Sequence, residues 1–279
     1  MSPKKWAAVL AVAVMTLSGC SPEADSDLQR LALPVAGSDR AEPMWNLWLG
    51  TWIAVLVVFV AVFLLIVVTP FVYRRKSDAE GAPPQVRYNL PIEVLYTIAP
   101  IIVVAIFFFH TVQVQDQFMA QEGDEDHTIE VVGSKWQWTF NYLEPDATGQ
   151  DVFDQGDPER LPELWLPVNE TVKFDLVSPD VIHSFWIPEF YYKMDVVPGE
   201  GPQRNSFTVT PNRVGEFTGR CAELCGTYHT RMIFKVKVVE RDEYDAHLEE
   251  LEAAGQVGRP TGQSNPTTIA GVGANGEGE

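Results

Sequence analysis

Cysteine, histidine and positive charge are all in short supply in this chain. Three cysteines and five histidines occur among its 279 residues. None of the cysteines stands in a Cys-x-x-Cys-His run, which excludes a covalently attached haem c. Residues 116–279 carry twelve Lys/Arg against thirty Asp/Glu, whereas the two signs cancel over 1–115. The whole formal charge of −18 therefore sits in the second part. Such a surface repels nucleic acid and suits a basic partner or plain solubility. Internal repeats are lacking too.

Charge itself is missing from two long runs. Met44 to Tyr73 contains "WLGTWIAVLVVFVAVFLLIVVTPFVY", and Val94 to Gln115 contains "VLYTIAPIIVVAIFFFHTVQVQ". A membrane-spanning helix needs roughly 20 mainly apolar residues, so each run is long enough. Trp45, Trp48 and Trp52 gather at one end of the first, where an interfacial aromatic belt belongs. Pro100 interrupts the second, a loss that a packed membrane helix tolerates. Between the runs, Arg74, Arg75, Lys76 and Arg87 assign the short 74–91 loop to the cytoplasm. The expectation is a transmembrane hairpin over 44–115 with both chain ends outside, in a bacterial plasma membrane.

Upstream, Lys4 and Lys5 precede the apolar stretch "WAAVLAVAVM", and "LSGC" closes it at 17–20. Residues 1–19 read as a secretory signal. Ser18 and Gly19 before Cys20 resemble a bacterial lipoprotein cleavage box, which implies a lipidated Cys20; the alternative is cleavage elsewhere with Cys20 unmodified. Residues 20–43 read as an external linker.

From 128 onward the pattern has period two. "TIEVVGS", "KWQWTFNY", "ETVKFDLVS", "NSFTVT", "GEFTGR" and "RMIFKVKVVE" are short strands separated by Pro, Gly and Asn turns. They predict an all-β sandwich or barrel over 116–240. Trp136, Trp138, Phe140 and Tyr142 fall on one face of their strand. Residues 144–162 form an acidic loop without periodicity, and 241–279 read as a surface helix followed by a tail too polar to fold.

"GRCAELCGTYHTRM", residues 219–232, packs Cys221, Glu223, Cys225, His229 and Met232 into one loop between strands. Two cysteines outside the cytoplasm can form a disulfide. Zinc can use two thiolates and an imidazole, but it wants a fourth Cys, His or carboxylate ligand and has no use for a thioether. Thiolate, imidazole and thioether together favour copper. His183, in the apolar strand "DVIHSFWIPEF", supplies another imidazole; an isolated histidine there is otherwise an ordinary core residue. His110, His127 and His247 lie in a spanning run, an acidic linker and the tail helix. Two thiolates, two imidazoles and a thioether exceed what one copper needs and suit two coppers bridged by both thiolates. No position is then left for a substrate, so the centre relays electrons.

"CAELCGTYHTRM", "DVIHSFWIPEF", "KMDVVPG", "GSKWQWTFNY" and "EVLYTIAP" together resemble subunit II of the haem–copper cytochrome c oxidases, over residues 44–240. The resemblance implies a cupredoxin fold holding the dinuclear copper centre CuA. Cys221 and Cys225 would bridge, His183 and His229 would be terminal ligands, Met232 a weak ligand, and Glu223 a ligand through its carbonyl. The Glu223 carboxylate would hold Mg2+ at the interface with subunit I, a metal that prefers oxygen. Trp136 would receive electrons from cytochrome c, and Glu93 would stand at the mouth of a proton-uptake path or simply cap its helix. Electrons would pass to haem in subunit I, where oxygen becomes water with proton pumping. Subunit III, a soluble or membrane-bound cytochrome c and membrane lipid complete the implied partners. The histidines are too few for the second copper cluster of nitrous oxide reductase, and quinol-oxidase relatives lack the metal-binding set. A copper carrier, or a lipoprotein stapled by Cys221–Cys225, remains a rival. The acidic loop exceeds the family pattern and is expected to contact a cytochrome c domain or another subunit.

Overall fold

The computed structural model describes residues 28–74, 85–119, 125–156, 160–199 and 204–262. The signal segment, Cys20, most of the 74–91 loop and the end of the tail fall outside them.

Helix α1 spans Ala41–Val72 and α2 spans Leu90–Met119. Apolar side chains cover their whole circumference, so no single stripe can be hidden against a soluble core. Large residues from Trp52 to Tyr73 and from Leu90 to Phe109 are accordingly exposed on the isolated chain. Both helices are long and apolar enough to cross a membrane. Hydroxyls in such a setting need local partners, and Thr51 and Thr69 donate to the Leu47 and Leu65 carbonyls one turn back.

Ten strands follow: β1 (His127–Ser134), β2 (Gln137–Tyr142), β3 (Val152–Gln155), β4 (Glu163–Pro167), β5 (Val172–Val177), β6 (His183–Ile187), β7 (Tyr192–Val196), β8 (Ser206–Val209), β9 (Gly215–Cys221) and β10 (Ile233–Val239). They form two five-stranded sheets, ordered β3-β2-β1-β5-β8 and β4-β10-β9-β6-β7. Pairs β1–β5 and β4–β10 are parallel, and the others are antiparallel. This is the expected cupredoxin-like sandwich. Its alternating inward residues meet in one core where the Phe185 ring stacks on Phe234 at 5.2 Å and Trp138 meets Phe234 edge-on at 5.5 Å. Burying each such side chain stabilises by about 1.5–3 kcal/mol. Gly219 is needed beside that ring, because a Cβ there would lie 1.9 Å from Phe234.

Four regions differ from their sequence reading. Residues 34–40 of the linker are stitched to the sandwich: Gly37 N–H donates to the Glu189 carbonyl, Asp39 N–H to Thr210, and Thr210 N–H to the Asp39 carboxylate. Ser38 pairs with Pro211, and Arg213 holds the Val35 and Ala36 carbonyls. The acidic loop contains strand β3 and pairs with this chain's own C-terminal segment, Phe153 N–H donating to Gln256 and Gly258 N–H to Asp151. Periodicity over four residues was too short to reveal it. The segment after helix α3 (Arg241–Ala253) packs instead of trailing away, at least to Gly262. Arg259 grips the buried Glu130 carboxylate from two nitrogens, at 2.9 and 2.6 Å, which explains why β1 is buried on both faces. Finally, Trp136 lies in the two-residue turn between β1 and β2, not on the face shared by Trp138, Phe140 and Tyr142.

Candidate metal centre

Neighbouring strands β6 and β9 carry the first half of the site. His183 opens β6, fully buried, and Cys221 closes β9 opposite Phe185. The chain then turns through 222–228 and a single 3-10 turn, His229–Arg231, before entering β10. That loop brings round Cys225, His229 and Met232. Cys221 Sγ lies 3.9 Å from Cys225 Sγ, 3.9 Å from His183 Nδ1 and 3.2 Å from the Glu223 carbonyl oxygen. Cys225 Sγ lies 3.7 Å from His229 Nδ1 and 3.8 Å from Met232 Sδ. Both cysteines are free and buried.

These spacings test whether the residues fit a metal. Donors about 2.0–2.3 Å from a shared ion stand roughly 3–4 Å apart, which is the spacing found here. A disulfide would need about 2.05 Å between sulfurs, and the pair is nearly twice that far apart at 3.9 Å. The donors are soft and nitrogenous, with a thioether and a carbonyl at the margins, so they fit copper. The hydrogen bond between the sulfurs lowers the Cys221 thiol well below its ordinary range, while the same bond and burial push Cys225 up. A metal held by both sulfurs needs both as thiolates, so binding there is coupled to proton release.

Two residues passed over in the sequence reading complete the surroundings. Asp180 Oδ1 lies 2.9 Å from His183 Nε2, and its Oδ2 accepts the Lys135 N–H at 2.8 Å. Burial alone would raise the Asp180 pKa, but hydrogen bonds from Lys135 N–H and His183 outweigh it and lower it. The carboxylate keeps a proton on Nε2 and leaves Nδ1 facing Cys221. Its position three residues before His183 in "SPDVIH" was the available signal. Tyr228 packs edge-on against Trp136, ring centroids 5.0 Å apart. It sits in the ligand loop between Cys225 and His229, and carries neither sulfur nor nitrogen in its side chain to mark it.

Trp136 Nε1 donates to the Cys225 carbonyl at 3.3 Å, so the turn that carries it touches the ligand loop directly. Gly226 makes room with φ of +124°; a Cβ there would come within 3.1 Å of the indole. Glu223 turns its carbonyl to Cys221 and leaves its side chain exposed. Glu93 lies far away in the first turn of α2, where it accepts the Asn89 N–H while Asn89 accepts from Ile92. That arrangement is a helix cap. His127 is in β1, not a linker, and pairs with Glu170 at 2.7 Å.

A family model described as cytochrome c oxidase subunit II, periplasmic domain, matches residues 127–239. The chain is 40% identical over 276 residues to "Probable cytochrome c oxidase subunit 2" of Streptomyces coelicolor, covering 87% of this chain and 85% of the relative. It is 31% identical to "Cytochrome c oxidase subunit 2" of Corynebacterium glutamicum, covering 86% and 82%. The crystal structure of the periplasmic domain of subunit II of cytochrome oxidase from Bradyrhizobium japonicum aligns at 28% identity, over 48% of this chain and 99% of that one, with a TM-score of 0.43. Fold and site define a β-sandwich on a two-helix membrane anchor with a sulfur–nitrogen metal centre. The chain belongs to the cytochrome c oxidase subunit II family.

Proposed function

We propose that this chain is the electron-accepting subunit of a cytochrome c oxidase. His183, Cys221, Cys225, His229, Met232 and the Glu223 carbonyl would hold the dinuclear copper centre CuA. The observation that carries this is the convergence of those donors at 3.2–3.9 Å from one another's sulfurs. When bound, the copper pair supplies one-electron chemistry with little rearrangement, since two metals share the charge. The protein's part is to hold two thiolates side by side, fix His183 through Asp180, and keep water away with Trp138, Phe185 and Met232.

The donor is a haem c protein that approaches the Trp136 side, and the acceptor is haem in subunit I, where oxygen is reduced to water with proton pumping. Subunit III belongs to the same assembly. Glu223's exposed carboxylate serves Mg2+ at the boundary with subunit I. Glu93, whose carboxylate caps α2, would also stand at the mouth of a proton path on the cytoplasmic side, with the metal domain and both termini outside. Residues 1–19 are the signal segment, and Cys20 carries lipid that adds a second hold on the membrane.

Loading the full chain with copper tests the central claim. Two coppers per chain and a purple absorption band are expected. Zinc, an empty site or a Cys221–Cys225 disulfide in freshly matured protein would sink it, the last favouring the stapled-lipoprotein reading.

A further inference from the structure

Trp136 is half-buried, and Tyr228 packs against it. The two rings meet at 83° with centroids 5.0 Å apart, and Tyr228 is itself 37% exposed. On its inner side Trp136 is hydrogen-bonded to the carbonyl of Cys225, whose sulfur faces the other metal donors. A continuous contact path therefore runs from solvent through Tyr228 and Trp136 to a metal-binding cysteine. The Tyr228 hydroxyl has no hydrogen-bond partner among the described residues, so nothing there suggests that the ring is kept for a polar tie. Leu224, in the same 222–228 loop, is 76% exposed, and Ile182, next to His183, is 45% exposed, apolar residues on an otherwise acidic domain. An exposed tyrosine packed on a tryptophan, with an exposed leucine in the same loop, has the composition of a binding hot spot.

We infer that Tyr228 is the outer member of an aromatic pair: the donor seats its exposed haem edge on the Tyr228 ring, and the electron crosses Tyr228 and Trp136 together. This rests on the reading of the chain as an electron acceptor for a haem c protein. In the step the donor iron goes from ferrous to ferric and the copper pair gains that one electron. No bond forms or breaks, no proton moves, and both rings end unchanged. Gly226 is part of the same device, since a side chain there would force the indole away from the loop that carries Tyr228.

Tyr228→Leu and Tyr228→Phe in the full chain, assembled with its oxidase, test this. Leucine keeps an apolar cover without a π system, and phenylalanine keeps the ring without the hydroxyl. Three quantities are read: copper content with its absorption band, the rate at which a reduced basic cytochrome c gives up its electron on rapid mixing, and the affinity of the oxidised cytochrome for the copper-free protein. The leucine variant should load copper normally, accept electrons severalfold more slowly and bind the cytochrome more weakly, while the phenylalanine variant matches wild type in all three. A leucine variant that accepts electrons at the wild-type rate overturns the inference, as does slowing that tracks copper loss in both variants. Wild-type protein that loads copper yet takes no electron either from that cytochrome or from a reduced membrane-bound haem c donor would instead overturn the acceptor reading beneath it.

Discussion

The metal centre has two unequal halves. His183 and Cys221 come from paired strands, and His183 is wholly buried and braced by Asp180. Cys225, His229 and Met232 come from a loop whose regular structure is one 3-10 turn, with His229 partly open to solvent. One half is therefore fixed by the same packing that folds the sandwich. The other is positioned by Trp136, Gly226 and the return into β10. For metal binding this division means that the strand half offers a preformed anchor and the loop half leaves a way in.

The largest effect should come from removing one imidazole from each half. His183→Gly and His229→Gly are both expected to abolish the purple band, but added imidazole should restore it only in His229→Gly, where the vacated space reaches solvent. Equal rescue, followed by absorption titration, would erase the distinction between halves. A smaller loss belongs to Asp180→Asn, which keeps the shape but removes the charge that orients His183. Copper affinity in a competition assay should fall about 10–100-fold, with thermal stability of the copper-free chain nearly unchanged.

The smallest effect is one of pH and concerns the sheet that carries the strand half. His247 of α3 stacks on Trp165 of β4 at 4.1 Å, and its Nε2 is buried without a partner among the described residues. Burial is the main reason its pKa falls to about 4, with Lys237 and Arg160 pushing the same way against Glu163. The unfolded chain, with an ordinary value of about 6.5, takes up a proton that the folded chain refuses. Stability is thus full above about 6.5 and declines as pH falls towards about 4. His247→Phe should flatten that stretch of the unfolding curve; an unaltered slope would show that other groups govern acid sensitivity there.

Much of this was legible in the sequence because chemistry and periodicity are local. Cys221, Cys225, His229 and Met232 lie within twelve residues, and charge-free runs declare helices with no packing to consult. What escaped depended on contacts between distant segments. His127 looked like part of a linker because Glu170, its partner, lies 43 positions away. Strand β3 is too short for a period, and the segment around Arg259 is polar enough to look unfolded until Glu130 is seen beneath it. The role of Trp136 was implied by resemblance, but its seat in a turn, and Tyr228 against it, required the ligand loop to be folded over.

The stitching of residues 34–40 has a mechanical result. Arg40, at the start of α1, also grasps the Thr208 carbonyl in β8 and the Gln117 carbonyl near the end of α2. Anchor and sandwich are consequently tied by side-chain hydrogen bonds as well as by the covalent chain. The bonds that close the linker onto β8 thus also couple the sulfur-bearing sandwich to the head of the anchor.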